Sequence, residues 1–375
     1  MTRADAAIPD VPPAVADGGM APGDAATQHA PMTPRGLYVV LALLTIVLVA
    51  LLIYAIWFLG RPEQLTQLPA RGRLQPVWLV HGPARGTSPA FDRPMGVAVG
   101  ISNRIYVTDS GNNRVCVFDA SGRYLFEFGG FGIAKPAAGV SATYDAGELN
   151  FPVGIDTDED GNVYVASLRN DSIEVYDPYG EPTRRFPDPS AVTGKGGSGQ
   201  EGLGIAVTDV AVHENRVYAT DSYQILVFSL TGQLVDQWGM PGSEPTGLDH
   251  PNGIAVADDG TVYVSDSNHQ RVTAFTPDGD VLWHVGEIGE DSPDDREVDL
   301  PRGLTVMPDG SILVVDSFAF ELIRISSDGQ RVDSYGERGI EPAQVNFPND
   351  VETLNDLLVV ADKENGRVQV VRIVD

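Results

Sequence analysis

One pattern recurs six times between Phe91 and Asp375, and nothing else in the chain narrows the fold as far. Five units open with a Pro-x-Gly-like turn: RPMGVAV (Arg93–Val99), FPVGIDT (Phe151–Thr157), HPNGIAV (His250–Val256), LPRGLTV (Leu300–Val306) and FPNDVET (Phe347–Thr353). The third unit has lost the proline and keeps TDVAV (Thr208–Val212). A polar turn follows, then a β-branched run, which ends in Asp109, Asp221, Asp266, Asp316 and Asp362 in five of the units. A short loop, a second such run, a glycine turn and a last run complete the unit. Short apolar runs bounded by Gly, Pro, Asn and Asp read as strands. Four of them make an antiparallel sheet too small to stand alone. Arranged radially, six such sheets bury their faces on one another and shield most of their edges. Apolar residues at helical spacing, which a helical repeat needs, are absent. The fold class read from the pattern is all-β, a six-bladed β-propeller of four-stranded antiparallel blades over residues 77–375, preceded by one transmembrane helix.

The sixth unit ends at RVQVVRIVD, without a fourth run. Ahead of the first unit stands QPVWLVHGPARG (Gln75–Gly86), which looks like one. An incomplete sheet would leave backbone groups unpaired at an edge. Val77–His81 is therefore expected to pair antiparallel with Val368–Ile373 and close the ring.

The segment before the repeats divides in three. Residues 1–36 are rich in Ala, Pro, Gly and Asp without apolar period and read as a disordered tail. Leu37–Gly60 carries no charge. At that length it spans a hydrocarbon layer of about 30 Å with some tilt. Tyr38 and Trp57 lie near its ends, where amphipathic rings settle. A cleaved signal peptide would have a basic start and a shorter apolar region, so an uncleaved anchor is expected. Residues 61–76 are the linker. Arg61, Arg71 and Arg73 follow the span and Arg3 and Arg35 precede it. Long domains translocate largely regardless of such charges, so the expected arrangement is a single-pass cell-membrane protein with its propeller outside the cytoplasm.

The repeats resemble NHL repeats. Unit 4, HPNGIAVADDGTVYVSDSNHQRVTAF, carries nearly the whole motif: Pro-x-Gly-Ile-Ala-Val, then Asp-Gly-x-Val-Tyr-Val-x-Asp, then Arg-Val. The resemblance runs from about Val77 to Asp375 and implies the propeller fold. Such propellers include ligand-binding ectodomains, interaction modules and a few lyases and lactonases, and fold alone does not choose among them.

Charge and composition remove several classes. The net charge is −27, and the lysines are Lys135, Lys195 and Lys363. So acidic a surface repels nucleic acid. Cys116 is the single cysteine, in the strand-like RVCVF, which rules out an internal disulfide and fits a small core residue. No CxxC, GxSxG, HExxH or phosphate loop is present.

Four sets of residues are candidates for function. Asp109/Arg114, Asp266/Arg271 and Asp362/Arg367 share one spacing, which reads chiefly as a salt bridge stapling a hairpin. The Pro-x-Gly turns place Met95, Val153, Thr208–Asp209, Asn252, Arg302 and Asn349–Asp350 around the mouth of the central channel. In propellers similar to gluconolactonases, the Asn of one such turn and the acid of another hold a divalent cation. The resemblance transfers that role to Asn252, Asn349 and Asp350, with calcium or another divalent cation as cofactor, but the glutamate expected as third ligand has no counterpart. A hard cation needs several oxygens. His81, His213, His250, His269 and His284 do not converge, which disfavours a histidine-held zinc. Finally, the loops ASLRNDS, DSYQ and DSFAFE put Leu168, Tyr223, Phe318 and Phe320 where other units have Asn and Gly. Apolar side chains on a rim mark a partner site or pack on the neighbouring blade. Two functions stay open: a membrane-tethered module that binds or scaffolds a protein or other ligand, with Leu168, Tyr223, Arg302, Phe318 and Phe320 in its site, or a metal-dependent hydrolase resembling lactonases.

Overall fold

A computed structural model describes residues 34–59, 65, 68, 70, 72–83, 88–132, 147–186, 206–242, 246–286 and 298–374. The chain separates into two units, Met1–Ala55 and Ile56–Asp375. Helix α1, most of it in the first unit, runs Pro34–Leu59 and so begins three residues earlier than the expected start at Leu37. Within it, Tyr38–Ala55 is long and apolar enough to cross a membrane, and a signal sequence near an N-terminus has the same character. Residues 1–33 of the expected tail and half of the expected linker lie outside the described residues.

The second unit contains six four-stranded sheets. Blade 1 comprises Pro94–Gly100, Arg104–Asp109, Arg114–Phe118 and Tyr124–Gly129. Blade 2 comprises Pro152–Thr157, Val163–Ser167, Ser172–Tyr176 and Pro182–Phe186. Blade 3 comprises Asp209–His213, Arg216–Asp221, Gln224–Ser229 and Leu234–Trp238. Blade 4 comprises Pro251–Val256, Val262–Asp266, Arg271–Phe275 and Val281–Val285. Blade 5 comprises Pro301–Val306, Ile312–Asp316, Glu321–Ile325 and Arg331–Tyr335. In each, strand pairing follows chain order and is antiparallel. The first strand of every blade packs on the first strands of both neighbours, and blade 6 closes on blade 1, so these strands line the central channel.

Blade 6 takes Asp350–Leu354, Leu357–Asp362 and Arg367–Ile373 from the end of the chain and its outer strand, Leu74–Val80, from before blade 1. The pairing is antiparallel, from Leu74 opposite Ile373 to Val80 opposite Val368. The expected closure holds, with a correction of its limits: the strand begins at Leu74 and stops at Val80, so the last residues of the expected linker belong to the sheet and His81 does not. The closing strand is deeply seated. Trp78 is 2% exposed and packs with Phe91, Val97 and Ile105 of blade 1 and Val368 and Val370 of blade 6. Its indole N–H donates to the Ala120 carbonyl at 3.2 Å.

The core is six separate wedges, one between each pair of neighbouring blades. This follows from the strand pattern. Middle strands such as Val262–Asp266 and Arg271–Phe275 are buried on both faces and read as continuous apolar runs, whereas outer strands such as Leu234–Trp238 are mostly exposed. Cys116 sits in the wedge between blades 6 and 1, and burial pushes its thiol far up, which makes it inert.

The glycine of the opening turn has a steric cause. A Cβ on Gly154 would lie 2.0 Å from Oδ1 of Asp209, and one on Gly303 would lie 1.8 Å from Oδ1 of Asp350. Blades 3 and 6 carry an acid where blades 1, 2, 4 and 5 carry this glycine. The glycines of blades 2 and 5 make room for those acids.

Candidate functional site

Among the described residues four carboxyl groups of the inner strands line the channel, and each reaches across a blade junction. Asp209 of blade 3 accepts the backbone N–H of Ile254 in blade 4 at 2.9 Å and that of Val210 at 2.9 Å. Asp350 of blade 6 accepts the N–H of Val97 in blade 1 at 2.9 Å and that of Val351 at 2.9 Å. Asp156 of blade 2 accepts Val212 of blade 3 at 2.7 Å and Thr157 at 2.7 Å. Glu352 of blade 6 accepts the Thr305 hydroxyl of blade 5 at 2.9 Å and the Thr353 N–H at 2.7 Å. These acids stitch inner strands that have no continuous ladder between them. They line a cavity of about 620 Å³ with Val97, Ile155, Ile254 and Leu304, which opens between the turns Ala257–Asp259 and Met307–Pro308, at the end of the channel away from the Pro-x-Gly turns.

Burial raises all four. Asp156 is pushed up to about 8 and Asp209 to about 7, in each case by loss of water, opposed by the backbone N–H donors and reinforced by the charge of Glu352. Asp350 rises well above the usual carboxylate range by burial and by the charge of Asp209, and Glu352 rises by burial. Shifted groups in a cavity are characteristic of functional sites and of structural networks alike. Here both oxygens of each aspartate are engaged with backbone donors, which favours the network. The sequence reading placed Asp209 and Asp350 at the channel and missed Asp156 and Glu352. The available signal was an acid inside the otherwise apolar runs GIDT and DVET.

The residues of the expected cation site are also engaged. Asn252 donates through Nδ2 to the His250 carbonyl at 2.8 Å and the Ser267 hydroxyl at 2.9 Å, within its own blade. Asn349 donates through Nδ2 to the Met95 carbonyl at 3.0 Å. Among the described residues no group of three or more His, Cys, Asp or Glu is arranged to hold a metal ion.

The shared Asp/Arg spacing forms buried ion pairs: Arg114–Asp109 at 2.8 Å, Arg271–Asp266 at 2.9 Å and Arg367–Asp362 at 2.7 Å, with every aspartate side chain fully buried. The second aspartate oxygen accepts a backbone N–H from the loop that leads into the same blade: Asp92 at 2.8 Å, Asp249 at 2.8 Å and Asn346 at 2.8 Å. The guanidinium holds carbonyls of that loop as well, Pro89, Gly247 and Ile340. Each pair is a staple for the loop face.

That face carries the aromatic loops. Leu168 packs into the wedge of blades 2 and 3, and Phe320 into that of blades 5 and 6. Tyr223 is 40% exposed and meets His250 edge-on at 5.5 Å. Phe318 is 52% exposed and meets Phe347 edge-on at 6.0 Å, and Phe320 lies 5.0 Å from the same ring. Arg338 stands 4.6 Å over Phe320 and Lys363 5.9 Å from Phe347. A third cluster joins Phe151 to Arg169 at 4.5 Å and Arg93 at 5.3 Å. Sequence reasoning missed Phe151, His250 and Phe347, which precede the prolines of blades 2, 4 and 6. Arg302 is half-buried at the mouth and makes no hydrogen bond or ion pair with any described residue.

Two stretches, 91–118 in blade 1 and 248–275 in blade 4, match the NHL repeat. Protein brain tumor of Drosophila melanogaster is 26% identical over 196 residues, 52% of this chain and 12% of that protein, so the chain spans a small part of that relative's length. Among solved structures, a Bacteroides thetaiotaomicron protein of unknown function superposes with a TM-score of 0.55 at 20% identity, covering 76% of this chain and 70% of that one. A gluconolactonase of Xanthomonas campestris gives 0.54 at 16%, covering 84% and 94%. A virginiamycin B lyase of Staphylococcus aureus gives 0.50 at 14%, covering 75% and 80%. At these identities the structural likeness speaks to the fold alone. With two matched repeats, four-stranded blades throughout and a strand from each end of the domain closing the ring, the chain is an NHL-repeat six-bladed β-propeller.

Proposed function

We propose that the protein is a membrane-tethered binding or scaffolding module that presents its loop face, outside the cytoplasm, to a protein partner or other ligand. The observation that carries this reading is the exposure of Tyr223 and Phe318 on short loops held by the Ser222 N–H on Asp221 at 2.9 Å and by the Ala319 N–H on Asp316 at 3.1 Å. Aromatic side chains in fixed positions on a rim supply contact area at little entropic cost. The channel supports the same choice, because its carboxylates already accept donors from neighbouring strands. Helix α1 is the tether. The full chain, extracted from its own membranes, tests the reading by affinity capture. Tyr223→Ser with Phe318→Ser is expected to lose the wild-type set of captured molecules while retaining the wild-type melting temperature. Unchanged capture by the double variant overturns the assignment of the loop face.

A further inference from the structure

One charge at the mouth has no answer within the described residues. The buried arginines Arg114, Arg271 and Arg367 each fork onto an aspartate and onto loop carbonyls. Arg302, half-buried one residue inside Pro301, bonds to none of the described residues. Loss of water alone draws its pKa down from the usual arginine value, with no neighbouring acid holding it up. A guanidinium withdrawn from water without a partner is costly. Arginine in that state suits a planar anion that can take two of its N–H groups.

The turn of blade 6 supplies an apolar flank, and that of blade 4 supplies the His250 ring, which lies 2.6 Å from Asp249. In blades 1, 2, 4 and 6 the residue before the proline, Arg93, Phe151, His250 or Phe347, holds a left-handed φ of 49–57°. Residues in that place ordinarily avoid such angles, and a bulky ring makes them costlier, so the surrounding turn must enforce them. Leu300 of blade 5 is free of this strain, and its turn is tied to both neighbours instead. The Gly303 N–H donates to the Asn349 carbonyl of blade 6 at 2.9 Å, and the Ser267 hydroxyl of blade 4 donates to the Pro301 carbonyl at 2.5 Å. Arg302 is thus fixed between the blades that open on His250 and Phe347. Phe347 in turn meets the exposed Phe318 ring at 6.0 Å.

We propose that the mouth formed by blades 4 to 6 binds a carboxylate carried on an aromatic or other apolar body. The carboxylate takes the Arg302 fork, and the body lies against Phe318 and Phe347. A monoanion suits the site better than a phosphate dianion, since one unpaired guanidinium must oppose a chain of net charge −27. Burial favours the neutral forms of Asp209 and Asp350 deeper in the channel, which weakens their opposition to an incoming anion, and Lys363 adds a second cation 5.9 Å from the Phe347 ring.

This inference rests on the loop face being the binding face. The test uses ¹⁹F NMR titration of the full chain in detergent with 4-fluorophenylacetate and its uncharged amide as probes. The acid is expected to bind at least about tenfold more tightly than the amide, a difference of about 1.4 kcal/mol. Arg302→Gln should abolish that preference, Arg302→Lys should keep part of it, and Phe318→Ser should weaken both probes. A peptide ending in phenylalanine with a free carboxylate separates the two sources: tighter binding than the small acid assigns the site to a chain terminus, and weaker binding assigns it to a small acid. Equal binding of acid and amide, or an unchanged preference in Arg302→Gln, overturns the proposal. So does a large fall in melting temperature in Arg302→Gln, which would make the guanidinium structural. Loss of the acid preference alone leaves the loop face standing if Tyr223→Ser with Phe318→Ser still loses capture.

Discussion

Blades 1, 4 and 6 and blades 2, 3 and 5 solve one problem in two ways. All six must pin the loop that leads into the inner strand. In the first group a buried Asp/Arg pair does it, with the arginine forked onto loop carbonyls. In the second group the arginine is replaced by Ser172, Gln224 and Glu321. The loop is still held, by the Ser167 hydroxyl on the Asn150 N–H at 3.0 Å, by Asp221 on the Ala206 N–H at 2.9 Å and by Asp316 on the Asp299 N–H at 2.6 Å. The acceptor at the end of the second strand is therefore the constant element, and the arginine is an addition. Where the fork is missing, the adjoining loop carries Leu168, Tyr223 or Phe318. The comparison separates blades that lock the ring from blades 3 and 5, which display Tyr223 and Phe318, while Leu168 of blade 2 packs into a wedge.

The largest effect is expected at the closing strand of blade 6, where the lock spans both ends of the domain. Trp78→Ala should lower stability by about 3–5 kcal/mol through the cavity it leaves, and Trp78→Asp by more, read from denaturant unfolding. A loss below about 1 kcal/mol would mean that the ring closes without this strand.

Next in size is the contrast between the two groups. Arg271→Ala removes the guanidinium from the buried Asp266, which keeps the His269 ring at 2.7 Å and the Asp249 N–H, at a cost of about 3 kcal/mol. Gln224→Ala in blade 3, which removes a 2.9 Å bond to Asp221, should cost about 1 kcal/mol. Similar losses at both positions would erase the distinction between locking and displaying blades.

The channel acids of blades 2, 3 and 6 give a smaller, pH-dependent effect. Their folded pKa values are raised, with Asp156 at about 8 and Asp209 at about 7. The folded state therefore binds these protons more tightly than the unfolded state, whose carboxyls titrate near about 4. That contribution is complete below the unfolded value and is lost as pH rises through the folded values. The melting temperature should fall between about pH 5 and about pH 8.5, and Asp156→Asn with Asp209→Asn should flatten the slope. A melting temperature that rises over this range contradicts the assignment.

The smallest effect on stability belongs to the displaying loops. Tyr223→Ser and Phe318→Ser should each stay within about 0.5 kcal/mol of wild type. A larger loss in either would show that its ring belongs to the core.

The repeat was legible because its marks have local causes. The opening glycine is demanded by the next blade, as Gly154 against Asp209 shows, and the Asp/Arg spacing follows from residues facing each other across one hairpin. The closing strand was legible from a missing fourth run, although its start at Leu74 was not, since LQP carries no clear strand signal. Asp156 and Glu352 escaped because what fixes them, an N–H in blade 3 and a hydroxyl in blade 5, lies across a junction that a linear reading does not bring together. For the same reason the rim reading grouped Leu168 and Phe320 with Tyr223 and Phe318, although the first two pack into wedges.

The central claim is that the partner meets the loop face and not the opposite one. Photo-crosslinking of the full chain in intact cells tests this directly, with the reactive side chain placed at Tyr223 on the loop face or at Asp258 in a turn of the opposite face. The account predicts a discrete adduct from position 223 and none from position 258. An adduct from 258 without one from 223 would contradict it.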